Sequence, residues 1–256
     1  MYLMFTPKTE KIERLARIFP KVITELESIF HGPLNIYIDW QNVIHWQEKL
    51  GWHFSVRRMK QFFDSFDTIQ SVKIYTGTLE GDAKSEKQIE ELTALRYIVS
   101  TKPVKIMPIS IDVSSIPSNS PAILKNFISK NLLSKLDIES IEYLNGKLSS
   151  LNKQGILKIE EQKCNFDVEM GRDMLLDFER NSIKTFALWS GDSDFADPIR
   201  QIKNDGRRAV VFSISRKVTP ELNQTNALIF EIRKIKEFVC WSKEIPQEVR
   251  GKINVL

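Results

Sequence analysis

Short apolar runs of strand length alternate with helix-periodic segments along most of this chain, and that alternation constrains the fold more than any other feature of the sequence. Leu34–Asp39 (LNIYID) is a buried-strand run, Ser71–Gly77 (SVKIYTG) a second, and Pro103–Ile109 (PVKIMPI) a third. A helix is expected near 55–67 and another over 84–100, where Ile89, Leu92, Leu95 and Val99 recur at helical spacing. The pattern resumes at Phe166, with a helix to about Glu179, a strand over 184–190, a helix over 193–206 and a strand over 207–215, followed by a short helix near 220–225 and the apolar stretch ALIFEI. Strand–helix–strand order implies right-handed crossovers, and hence a mostly parallel sheet covered on both faces. The expected fold is therefore a three-layer α/β/α sandwich with about five strands.

Two regions fall outside this rhythm. Residues 8–30 read as one amphipathic helix, started by Thr6-Pro7, with Ile12, Leu15, Phe19, Val22, Leu26 and Ile29 on one stripe. That stripe must pack, on the domain itself or on a second copy of the chain as a homodimer. Residues 110–160 begin Ser- and Pro-rich, continue into a helix-like stretch from Pro121 to Leu136, and end on a strand near 155–161. They read as an insertion. The organisation expected is an N-terminal helix over 1–32, a domain over 33–240 carrying that insertion, and a tail over 241–256.

A hydrophobic fraction of 42% in 256 residues supports a real core. The net charge of +4 identifies no partner by itself. Cys164 and Cys240 make neither a disulfide framework nor a zinc site, which suits a reducing compartment. With no signal-peptide pattern and no membrane-length apolar run, a cytoplasmic protein is expected.

Two strands run into acids at the same relative place. LNIYID ends on Asp39, and KTFALWS leads into Gly191-Asp192-Ser193-Asp194. Ligands of open parallel sheets bind at the carboxyl ends of the strands. Carboxylates converging there stay ionised together when a cation is present, and oxygen donors without Cys or His favour Mg²⁺ or Mn²⁺ over zinc. Helix capping by Asp192 or Ser193, with Asp194 complementing the dipole, is the alternative reading of that turn. Trp40, Trp46 and Trp52, on the loop expected after the first strand, can stack on bases or pack in the core.

IYIDWQN (36–42), DVEMGRDML (167–175) and WSGDSDFADPIRQIKNDGRRAVVF (189–212) resemble the three motif blocks of NYN domains, a group within the PIN-like nuclease superfamily that includes LabA-type bacterial proteins. Ser190 to Phe195 matches its block in full, while Trp40 stands where the family usually has Gly. The resemblance covers about 34–110 and 163–232. It implies strand order 3-2-1-4-5, with strands one and four side by side. It also implies a metal set of Asp39, Asp167, Asp173, Asp192 and Asp194, of which Asp39, Asp167, Asp192 and Asp194 act in catalysis with Asn42. For Asp173 to join that set, Asp167 has to cap its helix, because a six-residue spacing does not share a helix face. The activity implied is hydrolysis of RNA by a metal-dependent endoribonuclease; a catalytically weak or inactive RNA-binding or regulatory module is the alternative. Ser190, Ser193 and Arg207 are candidate substrate contacts. So are Lys125 and Lys130 of the insertion, which lies outside the resemblance and, leaving the sheet at its acidic end, reads either as a lid or substrate-guiding wall or as a plain surface elaboration.

Overall fold

In the computed structural model the described residues are 4–79, 81–180, 183–214 and 218–255, with the side chains of 254 and 255 left aside. The outer limits expected for the N-terminal helix and the tail, and the end of a strand at Ser215, lie outside them. In chain order the first elements are α1 (Glu10–Ile18), α2 (Pro20–Ile29), β1 (Leu34–Asp39), α3 (Trp40–Leu50), α4 (Val56–Phe63), β2 (Ile69–Thr78), α5 (Ala83–Ala94) and β3 (Ile98–Pro103). There follow β4 (Lys105–Ser110), α6 (Lys130–Leu133), α7 (Ile138–Lys153), β5 (Lys158–Lys163), α8 (Asp167–Glu179) and β6 (Thr185–Trp189). The chain ends with α9 (Ala196–Asn204), β7 (Arg208–Ser213), α10 (Pro220–Asn223), β8 (Leu228–Glu231), α11 (Lys236–Val239) and α12 (Gln247–Val255).

Six parallel strands make the main sheet, in the order β3-β2-β1-β6-β7-β8. The first five positions are those implied by the family resemblance, and β1 lies beside β6. The sixth strand comes from ALIFEI. On one face, Leu34, Ile36 and Ile38 of β1 and Trp189 of β6 join a core with α1, α2, α3, α4 and α11. The other face is covered by α8 and α9, with Met170, Met174, Ile199 and Ile202 buried. The sandwich is thus three layers, mostly parallel, as expected.

Several element boundaries differ from expectation. The N-terminal helix is two helices, because Pro20 has no N–H to continue the first and instead opens the second at its N1 position. The start is Thr9, whose hydroxyl accepts from the Ile12 N–H, not Thr6. Ile12, Leu15, Leu26 and Ile29 are buried within the chain itself, and Phe19 and Val22 pack against the same core. The segment expected as a loop after β1 is α3, on which Trp40, Val43 and Trp46 are buried; Gly51, at φ +68, closes it in the left-handed region. Trp40, Trp46 and Trp52 belong to the core and present no stacking surface.

The third strand is Ile98–Pro103, ahead of the expected run; the helix before it stops at Ala94. The rest of PVKIMPI is β4, which pairs antiparallel with β5 in a separate two-stranded sheet. Val104–Cys164 forms its own compact unit. Inside it, the expected helix from Pro121 to Leu136 is only a 3₁₀ turn over Leu124–Asn126 and the four-residue α6, while the longest helix, α7, is one the sequence reading left out. No helix of the described residues is long and apolar enough to cross a membrane.

Candidate metal centre

The turn after the carboxyl end of β6 and the start of α8 bring three acids together. Asp167, Asp192 and Asp194 each offer a carboxylate oxygen, and these oxygens lie within 4.8 Å of one another. Asp167 is the first residue of α8, one position inside the expected cap, and its N–H donates to the Asn165 Oδ1 at 2.8 Å. Asp192 precedes the 3₁₀ turn Ser193–Phe195 but makes no side-chain capping bond, so its carboxylate is not spent as a cap. The Ser193 hydroxyl donates to it at 3.3 Å.

Asp39 stands beside this group. It caps α3, accepting from the Asn42 N–H at 3.2 Å and from the Asn42 side-chain amide at 3.3 Å. Ser190, fully buried, bridges the two strands: its hydroxyl reaches Asp39 at 3.5 Å and accepts from the Asn42 amide at 3.2 Å and the Asp192 N–H at 3.3 Å. Asn42 and Ser190 therefore tie the tip of β1 to the turn after β6.

The electrostatics are those of an acidic group short of positive charge. Burial, the contact with Asp194 and the charges of Asp194 and Asp192 push the Asp167 carboxyl up to about 7. Burial raises Asp39 too, and the charge of Asp192 adds to it, against hydrogen bonds from Asn42 and Ser190. Among the described residues no Lys, Arg or His pairs with any of the four. Hard oxygen donors, close together and without a paired cation among the described residues, fit a hard divalent ion. An open groove of about 440 Å³ between α8 and α9 adjoins the group, with Val168, Gly171, Leu175 and Pro198 on its walls and Gln201 at its edge.

Asp173 is not in the group. Its carboxylate accepts from the Tyr75 hydroxyl at 2.9 Å and from Arg172. The reason lies in a second acidic row on α8, at four-residue spacing, facing the sheet. Glu169 pairs with Lys102 at 2.9 Å, Asp173 meets Tyr75, and Asp177 accepts from Lys73 (2.7 Å), Tyr37 (2.6 Å) and Asn35 (2.7 Å). Burial pushes the Asp177 carboxyl up, but those three donors outweigh it and hold it below its ordinary value; burial and the Asp177 contact raise the Tyr37 hydroxyl. The signal for this row was the spacing of Glu169, Asp173 and Asp177 set against polar Asn35, Tyr37, Lys73 and Tyr75 at every second strand position.

The remaining candidates lie elsewhere. Arg207 precedes β7, at the amino end of the parallel sheet, with its guanidinium over the Phe178 ring. Lys125 and Lys130 are exposed within the Val104–Cys164 unit.

Comparison with known proteins agrees with the fold and finds a domain-family match over part of the chain. The NYN domain model matches residues 111–231. This stretch holds Asp167, Asp192 and Asp194 and takes in most of the separate unit, while β4 and Asp39 precede it. The chain is 24% identical over 207 residues to the low amplitude and bright protein LabA of Synechococcus elongatus, covering 80% of this chain and 87% of that protein. A crystal structure of a protein of unknown function from Vibrio parahaemolyticus shares the fold with TM-score 0.50 at 15% identity, over 82% of this chain and 96% of that one.

Proposed function

We propose that this chain, which carries an NYN domain, is an endoribonuclease that hydrolyses RNA phosphodiester bonds at the group formed by Asp167, Asp192 and Asp194. The observation that carries the reading is that group itself: three carboxylates whose oxygens lie within 4.8 Å, with no cationic side chain of the described residues paired to them. Bound Mg²⁺ or Mn²⁺ supplies charge neutralisation at the phosphate and a more acidic water. The three aspartates would hold it. Asn42 and Ser190 orient Asp39 towards the same end of the sheet, so that Asp39 can accept a proton or join the ligand set once a substrate arrives. Ser193 orients Asp192. The groove between α8 and α9 has apolar walls for a nucleobase next to the scissile phosphate. Lys125 and Lys130 serve as salt-sensitive contacts to the RNA backbone.

Purified protein incubated with Mn²⁺ cleaves single-stranded or structured RNA, tested beside DNA of the same sequence, and EDTA stops it. Asp192→Asn abolishes cleavage; undiminished cleavage by that variant would place the chemistry elsewhere. Reversal of Lys125, Lys130 and Lys135 to Glu weakens RNA binding at low salt, and unaltered affinity removes these lysines from the substrate path.

A second reading is supported by Asp39. Its two oxygens are occupied by the α3 cap, Asn42 and Ser190, and it stands outside the three-carboxylate group. A chain whose fourth acid stays so engaged would bind RNA and metal but turn over weakly or not at all, as a regulatory module. Mn²⁺-dependent RNA binding without product in a single-turnover assay identifies that case.

A further inference from the structure

The helical layer on the other side of the sheet from α8 holds a cavity of about 330 Å³. Lys11 of α1, Ser242 and Lys243 of the turn after α11, and Arg250 and Ile253 of α12 line it. Beneath Ser242 lies Arg58 of α4, only 6% exposed. The Arg58 guanidinium donates to the carbonyl oxygens of Phe238 (3.3 Å) and Glu237 and to the Ser242 hydroxyl oxygen (3.3 Å). The Lys11 ammonium donates to the same hydroxyl oxygen at 3.1 Å. That oxygen is thus held by two cationic donors, and among the described residues nothing accepts its own hydrogen.

Three cations, Lys11, Lys243 and Arg250, therefore line one cavity, Arg58 reaches its wall through Ser242, and none of the four forms an ion pair with a described carboxylate. The contrast is local: Arg14, Arg17 and Lys60, on the same two helices, are each paired with an acid one turn away. Glu237 acts on Arg58 from beyond ion-pair distance. Burial, with the Arg58 charge added, lowers the Lys11 ammonium below its ordinary value. Lys243 is placed over the Trp241 ring, 4.7 Å from its centre.

We infer that this cavity is a phosphate-binding site separate from the acidic centre. Mixed guanidinium, ammonium and hydroxyl donors converging on one space suit a tetrahedral polyanion with several acceptor oxygens. The volume exceeds what a single phosphate fills, and Ile253 gives an apolar wall, so the phosphate is one borne on a nucleotide or an RNA end. The acidic centre repels phosphate without a metal; this cavity needs none.

The test is a thermal-shift titration of the full chain with sodium pyrophosphate at constant ionic strength, in EDTA so that no metal bridges phosphate to the acidic centre. The melting temperature rises saturably. Lys243→Ala with Arg250→Ala, both exposed and removed from the core, keeps the unliganded melting temperature and loses about tenfold or more in apparent affinity, since each supplies a charge-assisted contact. Asp192→Asn leaves the titration unchanged. No saturable shift in the unaltered protein, or an equal shift in the double variant, overturns the site. Competition assigns the source. Displacement of pyrophosphate by a 5′-phosphorylated tetranucleotide but not its 5′-hydroxyl form marks an RNA end; displacement by AMP alone marks a free nucleotide.

Discussion

With its carboxyl pushed up to about 7, Asp167 ties the acidic centre to pH. Its folded-state value lies above the ordinary 3.8, so its contribution to stability is complete below about 3.8 and is lost as pH rises through about 7. Metal-free protein should accordingly melt at lower temperature at pH 8 than at about pH 5. Asp167→Asn should flatten that slope, and an unchanged slope would assign it to other groups. A divalent ion reverses the sense, because it binds the ionised form. Apparent Mn²⁺ affinity should climb with pH up to about 7 and level above it, with protons released only on the climbing part, measurable by calorimetry in buffers of different ionisation enthalpy. Asp177 behaves oppositely: it is ionised, buried and fully engaged. Asp177→Ala leaves the Lys73 ammonium, which is 14% exposed, without its counter-charge. The expected loss is ~3–5 kcal/mol in chemical denaturation, the cost of stranding one half of a buried ion pair.

Helix α8 works on two sides at once. Its first residue serves the acidic centre, while Glu169, Asp173 and Asp177 seat it on β1, β2 and β3 through Asn35, Tyr37, Lys73, Tyr75 and Lys102. The seat fixes the rotation of α8 about its axis, which is what aims Asp167 at Asp192 and Asp194. Tyr75→Phe removes one rung and should cost only ~0.5–1.5 kcal/mol, with Mn²⁺ affinity reading any drift of Asp167. At the other face, α1 and α2 complete the core. Leu15 has no exposed surface, and Leu15→Ala should cost ~2–5 kcal/mol by urea denaturation. A loss below 1 kcal/mol would mean the helix is not seated as described.

On the scale of the whole chain, Val104–Cys164 and the remainder are separate compact units. The ends where the inserted unit leaves the sheet are close together, since the Lys102 ammonium lies 4.6 Å from the centre of the Phe166 ring. A short Gly-Ser linker in place of 104–164 should therefore leave the six-stranded unit folded and able to bind Mn²⁺, because loop closure over a small gap costs little. Circular dichroism and metal titration check this; a chain that fails to fold would show that the sheet depends on the inserted unit.

The sequence by itself determined the sheet and its acidic end. Apolar runs of strand length separated by helical ones admit few arrangements other than a parallel sheet with helices on both faces, and acids that close β1 and follow β6 must then share an end. Pro20 and the polar positions on β1 and β2 were also written there, although their meaning needed partners far along the chain. Only tertiary structure decided which acids meet. Asp167 and Asp173 are six residues apart on one helix, and which of them faces the centre depends on how α8 is rotated. That rotation is set by Lys73, Tyr75 and Lys102, roughly seventy to a hundred residues away. The same holds for α3, whose buried Trp40 and Trp46 read locally as a loop and become a helix face only once β1 and α4 give them something to pack on. It holds too for the basic cavity, where Lys11, the Lys243–Arg250 segment and, through Ser242, Arg58 come from three stretches far apart in the sequence.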